Sequence, residues 1–168
     1  MTTKSITKPY RLAAGEGLAD VWWKAGRITV KATGVETGGR LVQFEATDPH
    51  GSAPPMHVHR NEDELIYILD GEVTVLVGDE RIDLGKGDLA FVPHGVAHSY
   101  IVRSERARML GTMTPGGFEQ LFVNHGLPVA DGEQPAEEVL LPIQELIGVC
   151  AGLGCDIVGP PPTLADVE

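Results

Sequence analysis

Four residues in two short segments of the chain could bind one metal ion. His57 and His59 are separated by one residue, and side chains two positions apart point to the same side of a β-strand. Glu64 follows five residues later and His98 lies in another strand-like run, so a carboxylate and a third imidazole could reach the same point. Imidazole and carboxylate ligands suit Fe, Mn, Co, Ni, Cu or Zn, and we predict one such divalent transition metal per chain. The set leaves coordination positions open for a substrate, for dioxygen or for both.

The turn residues around these segments have a regular spacing. A His-x-His pair alone is weak evidence, because a histidine on a strand is more often a surface or core residue. Here the first segment reads G(x5)HxH(x4)E(x6)G from Gly51 to Gly71, and the second reads G(x5)PxG(x2)H from Gly87 to His98. This double pattern resembles the two signature motifs of the cupin superfamily. Val102 stands where the second motif usually ends in Asn, which is not a ligand position.

The cupin resemblance implies a fold and a ligand set. It implies a small jelly-roll β-barrel with the metal inside, held by His57, His59, Glu64 and His98. The flanking segments Trp22–Val30, Ala32–Gly39, Pro54–His59 and Pro115–Phe122 extend the resemblance over most of the chain. They look like single-domain actinobacterial cupins described as quercetin 2,3-dioxygenase-like.

The quercetinase resemblance implies a reaction. A metal-dependent dioxygenase would cleave a flavonol, or a related enolisable aromatic, with O2. Glu64 would act as the catalytic base that removes the proton of the flavonol hydroxyl, or it would be a plain ligand with no proton role. Two other classes stay open. One is a cupin polyketide cyclase or an isomerase, and the other is a cupin that binds a small molecule without turnover.

Short apolar runs separated by turn residues must position these side chains. Each run has four to seven residues and is rich in β-branched residues, as strands are. We predict an all-β fold, a jelly-roll barrel with short C-terminal helices. The Asp70-Gly71 pair predicts a tight hairpin between two strands. The strand-like runs cover residues 28–33, 40–46, 64–69, 73–77, 81–84, 89–92, 97–102 and 107–113.

The chain divides into three predicted parts. Residues 1–20 form an N-terminal arm, residues 21–115 form the barrel, and residues 116–168 form a C-terminal helical segment and tail that pack on the barrel. Helical spacing of apolar residues predicts one helix near residues 116–124. Pro142 at the start and Gly152 at the end bound a second one.

The barrel lining should be apolar, so that it holds a flat aromatic substrate and excludes water. Strand alternation places Ile66 and Ile68 on the side of Glu64, and Tyr100 on the side of His98. For each candidate the alternative is ordinary core packing, and Phe118 could instead belong to a helix on the barrel side. The full set of candidate pocket residues is Phe44, Met56, Ile66, Ile68, Phe91, Tyr100, Met113 and Phe118.

Composition limits the partners and the compartment. The 168 residues fit one ordinary domain, and the net charge of −11 disfavours nucleic acid and anionic membrane surfaces as partners. There is no run of 18 apolar residues, the first residues lack the apolar stretch of a secretory signal, and the two cysteines suit a reducing compartment. We therefore predict a cytoplasmic protein. The strands beside Asp70-Gly71 are apolar at nearly every position, so terminal segments or a second subunit could cover them, and we predict a homodimer.

Overall fold

The computed structural model describes residues 8–129, 138–139 and 141–168. Part of the predicted N-terminal arm, residues 1–7, lies outside the described residues. The strands in chain order are β1 Ala19–Trp23, β2 Gly26–Ala32, β3 Val42–Pro49, β4 Met56–His59, β5 Asp63–Asp70, β6 Val73–Val77, β7 Glu80–Leu84, β8 Leu89–Val92, β9 His98–Val102, β10 Arg106–Thr114, β11 Leu127–Pro128 and β12 Cys155–Gly159. The helices are α1 Gly34–Thr37, α2 Gln120–His125 and α3 Ile143–Gly152, with a 3-10 turn at Leu164–Asp166.

The described strands form two antiparallel sheets. One sheet has the order β11-β1-β2-β3-β10-β5-β8, and the other has the order β12-β4-β9-β6-β7. Apolar side chains from both sheets form the core between them, and fully buried Val30 and Ile68 of the first sheet pack in the same core cluster as Val75 and Val102 of the second. The predicted all-β jelly roll with short C-terminal helices is confirmed.

Strand alternation explains how each sheet presents one face to the core. Along β5, Ile66 and Ile68 are buried while Tyr67 between them is exposed. Along β3, Val42, Phe44, Ala46 and Asp48 are buried and their neighbours are not. β-Branched and aromatic residues suit such half-buried strands, because they pack well on a pleated surface.

The predicted hairpin at Asp70-Gly71 is wrong. β5 belongs to the seven-stranded sheet and β6 to the five-stranded sheet, so the turn carries the chain from one sheet to the other. Gly71 has a φ of 86°, and a Cβ there would lie 2.4 Å from the backbone oxygen of Arg106. This corner therefore requires a glycine. A tight hairpin turn would also favour one, so the Asp-Gly pair does not distinguish a corner from a hairpin.

The C-terminal segment contributes strands as well as helices. β11 pairs with β1, and β12 pairs with β4 at the edge of the five-stranded sheet. α3 begins after Pro142, whose fixed φ suits a helix start, and leads through a turn at Gly154 into β12. Among the helices of the described ranges, none combines the length and apolarity that a membrane crossing requires.

Candidate metal centre

The two sheets bring His57, His59, Glu64 and His98 together, and we call these four residues the His/Glu cluster. His57 of β4 lies directly opposite His98 of β9, and His59 follows two residues later on the same face of β4. Glu64 comes from β5 in the other sheet. One potential ligand atom from each of the four residues lies within 4.8 Å of the others. The cluster therefore lies between the two sheets, because each sheet supplies only some of the four side chains.

Backbone carbonyl groups orient two of the imidazole rings. His57 Nδ1 lies 2.8 Å from the Pro55 oxygen, and His98 Nδ1 lies 2.9 Å from the Val96 oxygen. A carbonyl oxygen only accepts, so each Nδ1 carries the proton and donates it. The Nε2 atom of His98 faces Glu64 Oε2 at 3.1 Å. This arrangement fixes the rings with Nε2 directed toward the cluster, as metal-binding histidines require.

Burial and mutual charge set the protonation of the cluster. Burial lowers the pKa of His57 and of His59 to about 4, so both are neutral at pH 7. Burial also opposes ionisation of Glu64, but the hydrogen bond and charge of His98 outweigh it and lower the pKa of Glu64. Burial likewise opposes the charge of His98, and Glu64 overcomes it and raises the pKa of His98. The ionised Glu64 and the neutral His57 and His59 are in the states that bind metals, and His98 binds once its Nε2 atom has lost its proton.

The donor set fits a divalent transition metal. Three imidazoles and one carboxylate are borderline ligands, which suit Mn, Fe, Co, Ni, Cu and Zn. The cluster contains no thiolate, so it does not match the cysteine-rich sets of structural zinc sites. The four residues would hold the ion through Nε2 of the oriented rings and a carboxylate oxygen of Glu64, and this chemistry does not select one metal from the series.

A largely apolar cavity of about 510 Å³ opens beside the cluster. Its volume lies in the range of ~300–1,000 Å³ of small-molecule pockets. Phe118 meets the His59 ring edge-on, with 4.6 Å between the ring centres, and packs in the same way on Phe122. Five of the residues expected from the sequence line this cavity: Phe44, Ile66, Tyr100, Met113 and Phe118.

Three residues expected in the pocket lie elsewhere. Phe91 is 53% exposed, because alternation along β8 turns Ala90 and Val92 inward and Phe91 outward. Met56 points to the face of β4 opposite His57 and packs against Gly159. Ile68 faces inward but is enclosed in the core between the sheets, away from the cavity. Strand alternation correctly predicted that the Ile68 side chain points inward, whereas its distance from the cavity depends on tertiary packing.

Several cavity residues were not expected from the sequence. Asp48 lies on the same buried face of β3 as Phe44 and Ala46, and it lines the cavity. The alternation along β3 could have predicted this position, but the Asp-Pro-His-Gly sequence is typical of a turn. Lys24 gave no sequence signal. Cys150 and Cys155 are free and buried, and both line the cavity.

Comparison with known proteins agrees with this architecture. Residues 43–113, which run from β3 to β10 and include all four residues of the His/Glu cluster, match the sequence model of the cupin domain. This chain carries a cupin domain. The cupin is 34% identical to a quercetin 2,3-dioxygenase of Bacillus subtilis over 145 residues, which make up 83% of this chain and 43% of that protein. It is 29% identical to a quercetin 2,3-dioxygenase of Aspergillus japonicus over 106 residues, 59% of this chain and 30% of that protein.

The cupin spans less than half the length of these two curated relatives. Among solved structures, it is similar to an RmlC-like cupin from Shewanella frigidimarina, with a TM-score of 0.55 and 19% identity over 66% of this chain and 96% of that one. It is also similar to KdgF from a Halomonas species, with a TM-score of 0.52 and 18% identity over 58% of this chain and 84% of that one. At these identities the likeness concerns the fold.

Proposed function

We propose that this cupin is a metal-dependent dioxygenase that cleaves a flavonol such as quercetin, or a related enolisable aromatic, with O2. The observation that carries the proposal is a His/Glu cluster that opens into an apolar cavity of about 510 Å³. Such a cavity accepts a flat aromatic molecule with one oxygen directed at the cluster. The similarity to two quercetin 2,3-dioxygenases supports this substrate class over others.

The proposed chemistry assigns a role to each side of the site. A bound divalent metal would supply a Lewis acid for the substrate oxygen. Glu64 would accept the proton of the substrate hydroxyl at a carboxylate oxygen, because deprotonation makes the aromatic electron-rich enough to react with O2. The rings of His57 and His98, held by the carbonyl oxygens of Pro55 and Val96, would keep their orientation through the cycle. The apolar walls would exclude water from the reacting atoms.

Oxygen uptake with quercetin tests this proposal. The protein would be reconstituted separately with Fe, Mn, Co, Ni, Cu and Zn, with the His98→Ala variant as the blank. We expect oxygen uptake and loss of the flavonol absorbance with at least one metal, and neither in the blank. No uptake in protein that measurably binds metal would overturn the dioxygenase and favour a cyclase, an isomerase or a non-catalytic binding protein.

We also propose that two copies associate through the outer face of the seven-stranded sheet. Register pairs Leu65 with Phe91 and Tyr67 with Leu89 on this face. Tyr67, Leu89 and Phe91 are 38%, 51% and 53% exposed, and β8 is the edge strand of the sheet. A contiguous apolar patch of this kind is a common feature of subunit interfaces. Symmetric dimers are the commonest oligomers, which favours a second copy as the partner.

The compartment belongs to the same proposal. Cys150 and Cys155 are free and buried, and free thiols are stable in a reducing environment. We therefore propose that the protein works in the cytoplasm. Its other partners would be the aromatic substrate and O2 alone.

A further inference from the structure

Polar residues interrupt the apolar wall of the cavity outside the His/Glu cluster, among them Ser52, Glu138 and three that lie together. Lys24, Asp48 and Tyr100 all line the cavity. The Tyr100 hydroxyl donates a hydrogen bond of 2.7 Å to Asp48 Oδ2. Asp48 is 5% exposed, and burial raises its pKa against the opposing effects of Tyr100 and Lys24. A carboxyl group in such a place opposes folding unless its polar atoms have partners.

The backbone around Asp48 is adapted to hold it. A Cβ at Gly26 would lie 1.8 Å from Asp48 Oδ1, so a glycine is required where β2 approaches this carboxylate. No salt bridge within 4.0 Å joins Asp48 to another residue in the described part of the chain. An apolar residue of similar size would fill the same space without this desolvation cost. Core packing therefore gives no reason for an acid at position 48.

Lys24 adopts a conformation that lysine rarely takes. Its φ is 52°, in the left-handed region, and among the described residues Lys24 is the one non-glycine residue with a positive φ. Paired hydrogen bonds with the backbone of Val139, of 2.8 and 3.1 Å, hold it there. Its ammonium group donates to the Ala53 carbonyl, and the charges of Glu138 and Asp48 both act on it. Strained residues persist where the surrounding structure fixes them, often at ligand sites.

These residues lie at a defined place relative to the His/Glu cluster. Tyr100 follows His98 by two positions on β9, so the two side chains share a face at about 7 Å spacing along the strand. Asp48 approaches from β3 in the opposite sheet. Apolar side chains such as Phe44, Ile66 and Met109 line the rest of the wall. The cavity thus offers two polar regions joined by apolar surface.

We propose that Lys24, Asp48 and Tyr100 form a second recognition site in the cavity for a phenolic hydroxyl group of the substrate, separate from the hydroxyl that approaches Glu64. The phenol donates to the Asp48 carboxylate and accepts from the Lys24 ammonium group, while Tyr100 holds the carboxylate in place. This inference rests on the proposed function for the identity of the aromatic ligand. The site would favour aromatic ligands with several hydroxyl groups over those that carry only the oxygens directed at the His/Glu cluster.

Binding of two flavonols tests this site. Quercetin carries phenolic hydroxyls on its outer rings, whereas 3-hydroxyflavone carries only the hydroxyl next to the carbonyl group. Affinities would be measured without oxygen, in metal-loaded protein, by quenching of tryptophan fluorescence, since Trp23 lines the cavity. We expect the unmodified protein to bind quercetin at least about tenfold more tightly than 3-hydroxyflavone, because a charged hydrogen-bonding group discriminates by such factors.

Asp48→Asn keeps the shape of the side chain and removes its charge. We expect it to weaken quercetin binding about tenfold and to change 3-hydroxyflavone binding less than twofold. Lys24→Met removes the charged donor of the same site, and we expect the same pattern of affinities. It replaces Asp48→Asn as the test if that variant does not fold. Asp79→Asn, in an exposed turn, is the matched control and should change neither affinity.

Equal losses for both flavonols, or no loss for either, would overturn the second recognition site. The outcome is separable from the dioxygenase proposal. If the selective loss is found and oxygen uptake is absent, the recognition site stands and the dioxygenase is wrong. If uptake is present and the variants do not discriminate between the flavonols, the dioxygenase stands and the recognition site is wrong.

Discussion

His59 Nδ1 lies 3.6 Å from Glu62 Oε2, and both atoms are buried without a hydrogen-bond partner among the described residues. The Nδ1 atoms of His57 and His98 have backbone carbonyl partners, so His59 differs from them in facing a carboxylate. Carboxylates in this position orient a metal-binding imidazole and make it a stronger ligand. A small approach of the two side chains would complete the contact when His59 binds a metal through Nε2.

Removal of the Glu62 carboxylate should therefore weaken metal binding. We expect Glu62→Ala to lower metal affinity about 10- to 100-fold, and Glu62→Gln, which keeps an acceptor, to recover part of the loss. Competition with a chromophoric chelator measures the affinity. The exposed Glu80→Gln variant is the control. Metal affinity that stays unchanged in Glu62→Ala would contradict a positioning role for Glu62.

Loss of one cluster histidine should remove the metal and leave the fold. His57→Ala deletes a ligand, while the apolar core between the sheets does not depend on it. We expect metal content measured by elemental analysis to fall to less than about a tenth, with an unchanged far-ultraviolet circular dichroism spectrum. His125→Ala, at the end of α2 and outside the cluster, should retain the metal. Unfolding of His57→Ala along with metal loss would instead assign the cluster a structural role.

A charge in the outer apolar patch should separate the proposed dimer. Phe91→Lys places an ammonium group in the patch, where burial against a second copy would desolvate it. We expect the mass measured by light scattering after size exclusion to fall by half. Val35→Lys changes an equally apolar residue, 73% exposed on α1, and should leave the mass unchanged. A monomeric unmodified protein, or a dimeric Phe91→Lys variant, would refute this interface.

The ion pair between Asp20 and Arg27 should make stability depend on pH. Burial raises the pKa of Asp20, but hydrogen bonds from Arg27 and Thr29 outweigh burial and lower it below the ordinary value of 3.8. The stabilisation is therefore complete above pH ~4 and is lost as the pH falls through the lowered pKa.

Asp20→Asn should thus destabilise the protein at pH 7 by about 1 kcal/mol or less, the usual size for a partly exposed pair. The difference from the unmodified protein should shrink as the pH falls below ~4. Urea unfolding at a series of pH values measures both effects, and Asp79→Asn serves as the control for an exposed carboxylate. A difference that is constant down to pH 2 would contradict the assigned role of the charge.

Local sequence determined most of the strands and the composition of the His/Glu cluster. Residues that alternate between apolar and polar specify a strand and its buried face without reference to the rest of the chain. The predicted run 73–77 coincides with β6, and 89–92 coincides with β8. His57 and His59 share a face for the same reason. Strand pattern offered Glu64 and His98 as candidates, and the match to a known motif joined them to the histidine pair.

Tertiary structure alone decided which sheet each strand joined and what lines the cavity. Asp70-Gly71 is a turn in either topology, and only packing of the two sheets made it a corner between them. Alternation gave the inward direction of Ile68, but its distance from the cavity depends on neighbours far away in the sequence. Lys24 and Asp48 line the cavity because the sheet that contains β1, β2 and β3 packs against the sheet that contains β9. β12 pairs with β4 although about 100 residues separate them in the sequence. Such contacts follow from the global packing of the chain, which a local pattern of side chains does not encode.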